Sequence, residues 1–351
     1  MKLKLLCVLF WCPPLLIASE VCAAEVPATG ISLRIMTFNA EILNAPGVTP
    51  GRIEHYRFDY AREQQHERVA AIIEALDPDI VNLVEVTSKA SVDLLIEKLH
   101  EKGLAQYEGH HVESNDTFTG MDIAVIAKRS PDVVEGATIR TYYSDADDPT
   151  WRQAYTAKGR DGSPRQHNAS LSRNSVYYFT IGGHKLGFLG LHLKSNPQDD
   201  FSNAQRTAQT EVARRILRGE IVPRGYLPIV MGDLNDYDPD VPDRDEARSP
   251  VTNVLRDMKD FDGDRTGPEL MNVAERMPRQ ADRYTSHWDW NENGAHDGDD
   301  VYTMIDHVLL PTELAPYVQK AFIAHIVGPD TSDHYPVVVD LVLPPAATPH
   351  E

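Results

Sequence analysis

Short apolar runs recur along the chain, and most of them end in a polar side chain. They lie at residues 31–39, 79–85, 121–128, 174–181, 185–193, 229–236, 301–310 and 321–327. Alternating or compact apolar runs of this length are typical of β-strands with one or both faces buried. We therefore predict a strand in each range, a hairpin at Gly182-Gly183, and a last strand that begins just after Asp333 and His334.

Stretches with helical spacing separate some of these runs. Apolar positions three and four apart predict helices over residues 63–76, 91–99 and 201–217. Residues 44–60 are rich in proline, glycine and aromatics, and residues 141–172 are polar, so we predict two long loops, which are more often functional than structural. Because strands and helices mix without strict alternation, we predict an α/β fold in which two sheets pack together with helices outside them.

The first 24 residues have the composition of a secretory signal peptide. Two lysines precede an apolar run at 5–18, and small residues follow around 21–24. The run is too short and too broken by proline to span a membrane. All three cysteines lie in this segment, so the remaining chain has no disulfide, thiol nucleophile or cysteine metal ligand. We predict a signal peptide over 1–24, one domain over 25–351, secretion or a periplasmic location, and no stable membrane insertion.

The charge balance limits the possible partners. The chain carries 53 Asp and Glu against 34 Lys and Arg, a formal net charge of -19. This balance argues against a broad basic surface for nucleic acid. It does not exclude phosphate substrates, because a bound divalent cation can reverse the local field. No sequence feature indicates an obligate protein partner.

Carboxylates, amides and histidines gather at the predicted strand ends. In Gly232-Asp-Leu-Asn235, a carboxylate and an amide stand two residues apart and project to the same side of extended backbone. Taken alone, this pattern is more typical of a turn in which Asp and Asn cap their own backbone. Other predicted strand ends supply Asn39, Glu41, Glu85, Asp122, His192, Asp306, Asp333 and His334. Such an oxygen-rich set suits Mg²⁺, Mn²⁺ or Ca²⁺, and with histidines it suits attack of water on a phosphate ester.

Six motifs resemble the endonuclease/exonuclease/phosphatase superfamily, whose members include deoxyribonuclease I. They are Thr37-Phe-Asn39, Leu83-Val-Glu85, Gly190-Leu-His192, Gly232-Asp-Leu-Asn235, Ile305-Asp306-His307 and Ser332-Asp-His334-Tyr-Pro. They stand in family order over nearly the whole chain after the signal peptide, which suggests an exported, bacterial-type member. The resemblance implies a four-layered α/β sandwich, two mainly antiparallel sheets flanked by helices, with the site at one end of the sheets.

The resemblance also implies roles for the metal and the attacking water. Mg²⁺ or Mn²⁺ would be held by Glu85 with Asn39, Glu41 and Asp333. Asp233 would orient or deprotonate the water, and Asn235 would donate a hydrogen bond to the phosphate.

Histidines complete the implied set. His334, oriented by Asp306, would stabilise the charge that develops on the phosphoryl oxygens. His192 would act as general acid, with Asp122 as its carboxylate partner. His307 is expected to be structural, and the histidines at 110, 111, 167 and 184 match no motif and are expected at the surface.

Arg173-Asn174 opens the strand that leads toward His192. We keep two interpretations for this pair. Either it contacts phosphate, for which arginine is well suited, or it is an ordinary strand start.

A second metal site is predicted between residues 289 and 300. The oxygen-bearing residues Asp289, Asn291, Asn293, Asp297 and Asp300 occupy positions 1, 3, 5, 9 and 12 of a twelve-residue loop with glycine at position 6. This is the spacing of an EF-hand calcium loop, with a shorter last ligand that weakens binding. The flanks have strand character, and the alternative is an acidic solvated loop.

We predict an exported, metal-dependent phosphodiesterase, most simply a nuclease that acts on DNA or RNA. No interleaved basic and aromatic stretch supports nucleic acid directly, so this substrate depends on the resemblance. The alternative substrates are a phospholipid head group, as in sphingomyelinases, or a phosphorylated small molecule. The His-x-Gln of sphingomyelinases does not follow His192, and the Pro-Ala-Trp-Cys-Asp-Arg pattern of inositol 5-phosphatases does not surround Asp306. A third hypothesis, a catalytically silent binding or toxin-like protein, conflicts with a complete set of site residues.

Overall fold

The computed structural model describes residues 30–52, 57–145, 147–159, 161–245, 252–264, 266–291, 293 and 297–345. The predicted signal peptide at 1–24 lies outside these ranges. The domain predicted over 25–351 extends beyond them and stays a prediction.

The described chain contains sixteen strands. In chain order they are β1 (Ile31–Leu43), β2 (Ile80–Val86), β3 (Glu108–His111), β4 (Asp122–Ala127), β5 (Ile139–Arg140), β6 (Arg152–Lys158), β7 (Pro164–Ser170), β8 (Asn174–Ile181), β9 (His184–His192), β10 (Leu227–Asp233), β11 (Leu270–Asn272), β12 (Ser286–Trp288), β13 (Val301–Thr303), β14 (Asp306–Pro311), β15 (Val318–Ile323) and β16 (Val337–Leu343).

Four α-helices accompany these strands in the described ranges. They are α1 (Asp59–Leu76), α2 (Lys89–Glu101), α3 (Asp200–Ile216) and α4 (Val254–Lys259). Side chains at the N-caps fix where two of them begin, since Ser88 accepts the backbone N–H of Ser91 and Asp199 accepts that of Ser202. None of the helices in the described ranges has the length and apolarity that crossing a membrane requires.

Two six-stranded sheets form the framework. The first has the order β15-β16-β1-β2-β4-β3 and the second the order β11-β14-β10-β9-β8-β5. Each sheet holds one parallel pair, β1 with β2 and β9 with β10, and its other pairs are antiparallel. Two packed, mainly antiparallel sheets flanked by helices confirm the predicted α/β sandwich.

The two sheets pack face to face through a closely fitted interior. Tyr177 and Phe188 stack with ring centroids 5.0 Å apart, and the Tyr177 hydroxyl lies 3.2 Å from Oδ1 of Asn82 on the other sheet. A Cβ at Gly190 would overlap this same Asn82 oxygen. Glycine in the Gly190-Leu-His192 motif is therefore required by the close approach of the sheets.

Two predictions about elements were wrong. The segment predicted as a loop at 141–172 contains the hairpin β6–β7, whose register pairs Tyr155 with His167. Its strands are mostly polar because only one face packs, against α3, so they lack the apolar pattern of a core strand. The strand predicted at 301–310 divides into β13 and β14, since the N–H groups of Ile305 and Asp306 both donate to the Thr285 hydroxyl, at 3.0 and 2.9 Å.

Candidate active site

Six predicted site residues meet at one end of the two sheets. Asn39, Glu85, His192 and Asp233 lie at the carboxyl ends of the parallel strands, while Asp306 begins the antiparallel β14 and His334 precedes β16. Parallel strands end at the edge where their antiparallel neighbours begin, so this sheet order brings the six side chains together.

Asn39 joins the predicted metal-binding and water-activating sides of the site. Its Nδ2 donates to Oε1 of Glu85 at 3.0 Å and to Oδ2 of Asp233 at 3.1 Å. Its Oδ1 accepts the backbone N–H of Glu41 at 3.0 Å, and the other oxygen of Glu85 accepts the N–H of Ile42 at 3.0 Å. Glu41, Ile42 and Glu85 all have positive φ angles, between 50° and 64°, an uncommon conformation that is typical of functional positions.

The carboxylates of the site are crowded and poorly solvated. Burial raises the pKa of Glu85, although the hydrogen bond from Asn39 opposes this shift. Burial and the negative charge of Asp306 raise the pKa of Asp233 to about 7. Oδ1 of Asp306 is buried and has no hydrogen-bond partner among the described residues. Buried oxygen ligands that repel one another fit a hard divalent cation such as Mg²⁺.

His334 and Asp306 form the second half of the site. Nδ1 of His334 lies 2.7 Å from Oδ2 of Asp306. Burial alone would lower the pKa of His334, but the charges of Asp306 and Asp333 outweigh it and raise that pKa well above its ordinary value. The Ser332 hydroxyl accepts the His334 N–H at 3.0 Å and donates to the carbonyl of Asn39 at 2.8 Å, which fixes the loop beside β1.

The Gly232-Asp-Leu-Asn235 segment is both a turn and part of the site. Oδ1 of Asp233 accepts the N–H of Asn235 at 2.9 Å, and Asn235 adopts a φ of 50°. Gly232 has a φ of 136°, and a Cβ there would overlap the carbonyl of Leu191. The Asn235 amide donates to the Leu193 carbonyl at 3.3 Å. The turn therefore aims Asp233 at its partners, and the predicted contact of Asn235 with phosphate stays a prediction.

The predicted pairing of Asp122 with His192 is wrong. Oδ2 of Asp122 lies 2.7 Å from Nε2 of His111. Oδ1 of Asp122 accepts the backbone N–H of Ser114 at 2.8 Å. Asp122 is on β4, beyond β2 in the first sheet, and both of its oxygens are engaged there. His111, expected at the surface, is instead the partner of this carboxylate, and its side chain is 6% exposed.

His192 has different neighbours. Nη1 of Arg173 lies 3.2 Å from each ring nitrogen, so the guanidinium lies against the ring. Its Nε2 is 3.6 Å from Oδ2 of Asp233 and 3.7 Å from Oε1 of Glu85. Burial and the positive charge of Arg173 hold the pKa of His192 well below its ordinary value. His192 is thus a neutral ring between the carboxylates and a cation.

Arg173 and Asn174 point in opposite directions. Asn174 is buried, accepts the N–H of Tyr142 at 3.0 Å, and donates to the carbonyls of Tyr142 and Leu171 at 2.7 and 3.0 Å. The prediction that Asn174 contacts phosphate is therefore wrong, because successive strand residues alternate between faces. Arg173 reaches the site, where its Nη2 donates to the Leu193 carbonyl at 3.4 Å.

Glu41 and Asp333 lie at the rim of the predicted metal-binding side. Oε2 of Glu41 is 3.1 Å from Nη2 of Arg57. Burial and the charge of Asp333 raise the pKa of Glu41 to about 7, although Arg57 opposes the shift. The Asp333 side chain is 44% exposed and its Oδ1 lies 3.8 Å from Nε2 of His334.

The predicted calcium loop connects β12 to β13. Oδ2 of Asp297 accepts the amides of Asn291 and Asn293 at 3.1 and 2.7 Å, and Oδ1 of Asp289 accepts the N–H of Asn293 at 3.3 Å. Four predicted ligands therefore converge. Asp300 lies with the strands, where its Oδ2 is 2.8 Å from Nε2 of His287 and accepts the Asp297 N–H at 3.0 Å.

Three residues that position the site had no signal in the sequence. Thr285 accepts the N–H of Asp306, as described above. The Gln65 amide donates to the carbonyls of Ala40, Glu41 and Thr331, which ties α1 to the end of β1. Arg206 donates to Asp236 and to the carbonyl of Lys194, at 3.0 and 2.8 Å, and so holds the segments that follow Asn235 and His192. Only the fold brings these residues to the site.

Comparison with known proteins agrees with this geometry. The sequence profile of the endonuclease/exonuclease/phosphatase family matches residues 36–334. The chain belongs to this family. It is therefore a hydrolase of phosphate esters, and enzymes of the family depend on a divalent metal. No curated protein matches the chain in a sequence search.

Solved structures share the fold at low sequence identity. An AP endonuclease from Archaeoglobus fulgidus has a TM-score of 0.55 at 16% identity over 88% of this chain and 99% of that chain. An endonuclease/exonuclease/phosphatase family protein from Bacteroides thetaiotaomicron has a TM-score of 0.52 at 18% identity over 90% and 99%. D. rerio TDP2, complexed with a single strand DNA product, has a TM-score of 0.51 at 16% identity over 88% and 98%.

Proposed function

We propose that this family member is an exported nuclease that hydrolyses phosphodiester bonds of DNA or RNA by metal-assisted, in-line attack of water. The observation that best supports this chemistry is the proximity of Asp233 to the Asp306–His334 pair. Ligand atoms of the three side chains lie within 4.8 Å of one another. Export to the periplasm or the medium is supported by the signal-like composition of residues 1–24.

Asp233 is the base that prepares water. Its pKa of about 7 lets the carboxylate take a proton near neutral pH, where a general base works best. The donors from Asn39 and Asn235 hold both its oxygens in place. We assign Asp233 to accept the proton that the attacking water loses.

His334 stabilises the phosphoryl oxygens. Its raised pKa keeps the ring protonated at neutral pH, and Asp306 fixes which nitrogen faces the site. A charged donor aimed at developing negative charge is the kind of interaction that lowers a barrier most. Asn235 is assigned as a second hydrogen-bond donor to the phosphate.

The metal side is formed by Glu85 and Asn39, with Glu41 and Asp333 at its rim. A Mg²⁺ or Mn²⁺ ion bound there would neutralise charge on the phosphate and lower the pKa of the neighbouring carboxylates. Asn39 orients Glu85 for this role.

We place the leaving group of the substrate beside His192, whose ring is neutral. Because its pKa is well below the ordinary value, it has no extra proton to give at neutral pH. We assign it a hydrogen bond to the substrate and assign the cationic contact on that side to Arg173.

A polynucleotide is favoured over smaller esters by the charge on one side of the site. Arg173 and Lys194 both lie near His192, and burial together with the charge of Arg173 lowers the pKa of Lys194. Asp116 lies 3.6 Å from Nε of Arg173 and balances part of this charge, and the remaining positive charge favours a site for additional phosphates. D. rerio TDP2, which shares the fold, was solved with a single strand DNA product. A phospholipid head group or a small phosphate ester remains the alternative substrate.

Calcium is proposed as a second, structural ion in the 289–300 loop. The EF-hand spacing and the convergence of Asp289, Asn291, Asn293 and Asp297 support it. The loop leads into β13 and from there to Asp306, so an ion there would stiffen the approach to the site.

A substrate panel tests the proposal. Purified protein would be incubated with supercoiled DNA, single-stranded DNA, RNA, sphingomyelin and inositol phosphates, while Mg²⁺, Mn²⁺ and Ca²⁺ are varied separately. We expect cleavage of DNA or RNA that requires a divalent metal. Turnover of lipid or small esters without cleavage of nucleic acid would contradict the nuclease proposal and leave the chemistry intact.

A further inference from the structure

The hairpin β6–β7 differs in charge from the rest of the chain. Residues 151–173 contain five Lys and Arg residues and a single acidic residue, whereas the whole chain carries a net charge of -19. Lys158 is exposed and lies in no ion pair with another described residue, and the Arg165 side chain is 58% exposed, paired with Asp161. A basic hairpin on an acidic protein marks a surface for a polyanion.

Contacts with α3 fix the direction of the hairpin. At its base, the Arg215 guanidinium donates to the carbonyl of Arg152 at 3.0 Å, and the Gln209 amide donates to that of Ser170 at 3.2 Å. Farther along, the rings of Tyr155 and His167 contact the ring of Phe201, with centroids 6.1 and 5.1 Å apart. The hairpin therefore runs along α3 from its carboxyl-terminal half toward its first turn.

The first turn of α3 lies at the active-site end of the sheets. Only residues 193–199 separate His192 from the start of α3, and Arg206 holds this segment through the carbonyls of Lys194 and Asn196. The tip of the hairpin continues past Phe201. At about 3.3 Å per strand residue, Lys158 lies roughly 10 Å beyond Tyr155, on the same side of the molecule as the site.

Arg173 and Lys194 connect this hairpin to the reacting groups. Arg173 follows β7 by three residues and lies against the His192 ring. Lys194 follows His192 by two residues, and its N–H donates to Gln209, the residue that also holds Ser170. Positive side chains thus lie at the site and again at the hairpin tip, and several nucleotides would cover the span between them at about 3.4 Å per nucleotide.

We propose that the hairpin β6–β7 is an arm that binds the phosphate backbone of a nucleic acid strand beyond the cleaved bond, through Lys158 and Arg165. The proposal rests on the proposed nuclease function and names the part of the substrate that lies outside the reacting centre.

The test compares Lys158→Gln/Arg165→Gln with the matched control Arg129→Gln/Lys185→Gln. The control removes the same number of positive charges at the opposite end of the sheets, just after β4 and at the start of β9. Each variant is assayed in Mg²⁺ on a long single-stranded DNA and on a dinucleotide, which is too short to reach the arm. Thermal melting verifies that each variant is folded.

We expect kcat/KM on the long strand to fall about tenfold in the arm variant and to stay unchanged on the dinucleotide and in the control. The slope of log kcat/KM against log salt should become shallower by about 1.4, since each phosphate contact on a single strand contributes about 0.7. An unchanged rate on the long strand, an equal loss on both substrates, or an equal loss in the control would overturn the arm. A wild-type protein that cleaves neither substrate would overturn the nuclease proposal itself. The wild-type protein is therefore assayed on both substrates before any variant is compared.

Discussion

Nδ1 of His334 lies 2.7 Å from Oδ2 of Asp306, and this contact connects the loop before β16 with the first residue of β14. It joins the two sheets at the site, because β16 belongs to the first sheet and β14 to the second. The same contact orients the ring and, together with the charge of Asp333, favours its protonated form.

Asp306→Asn should lower the pKa of His334 toward its ordinary value of about 6.5. The raised pKa keeps His334 protonated at neutral pH, so the substitution should move the alkaline limb of the pH–rate profile to lower pH. We expect kcat to fall by about 10²–10³-fold, as for loss of a positioned donor that stabilises the transition state. The exposed carboxylate of Asp330 provides the control Asp330→Asn, and equal alkaline limbs in both variants would count against the role of Asp306.

The acid limb of the pH–rate profile should belong to Asp233. A carboxylate whose pKa is about 7 is protonated and inactive as a base below that pH, so activity should rise as the pH rises through about 7. A bound cation favours the charged form, and saturating Mg²⁺ should therefore move this limb to lower pH than limiting Mg²⁺ does. Measuring kcat/KM against pH at both metal concentrations checks this. An acid limb at the same pH at both concentrations would contradict the assignment to Asp233.

Calcium should raise the thermal stability of the protein. A ligand in hundredfold excess over its Kd adds about 2.7 kcal/mol, which corresponds to a rise in Tm of about 4 °C for a chain of this size. The rise should be absent in Asp289→Ala and present in Asp299→Asn, which alters the same loop at a position outside the predicted ligands. A Tm that does not change with calcium would support the alternative, an acidic solvated loop without a bound ion.

Asn174→Ala should affect folding and not substrate binding. The substitution leaves the N–H and carbonyl of Tyr142 without their partner inside the protein, and an unsatisfied buried group costs about 1–3 kcal/mol. We expect a lower Tm with an unchanged KM, whereas Arg173→Gln should raise KM with a small change in Tm. An increased KM in Asn174→Ala would instead support the predicted contact between Asn174 and phosphate.

The sequence predicted the strands that carry the site because those strands are buried. Their apolar pattern is strong, and the residues that end them, such as Glu85 and Asp233, stand out against it. The ambiguity of Gly232-Asp-Leu-Asn235 between a turn and a site disappears in the structure, since the turn itself positions the carboxylate.

Side-chain partners could not be predicted in the same way. The strand that holds His111 is short and polar, so no pattern showed that it would pair with β4 and bring His111 to Asp122. Asn174 was misplaced because its neighbour Arg173 does face the site. The hairpin β6–β7 has too few apolar positions to be recognised, and its direction depends on contacts with α3 that are distant in sequence.

Asp233→Asn removes the proposed base from the site. The amide keeps the size of the carboxylate but cannot accept a proton from water, so single-turnover cleavage of DNA or RNA in Mg²⁺ should slow by orders of magnitude. The stability of the metal-free protein should increase although the activity falls. Because the folded pKa of Asp233 is raised, this carboxylate destabilises the metal-free protein increasingly as the pH rises from about 4 to about 7. We expect a variant that is nearly inactive yet melts at or above the wild-type Tm at pH 8 in chelator; a variant that remains active would show that Asp233 is not the base.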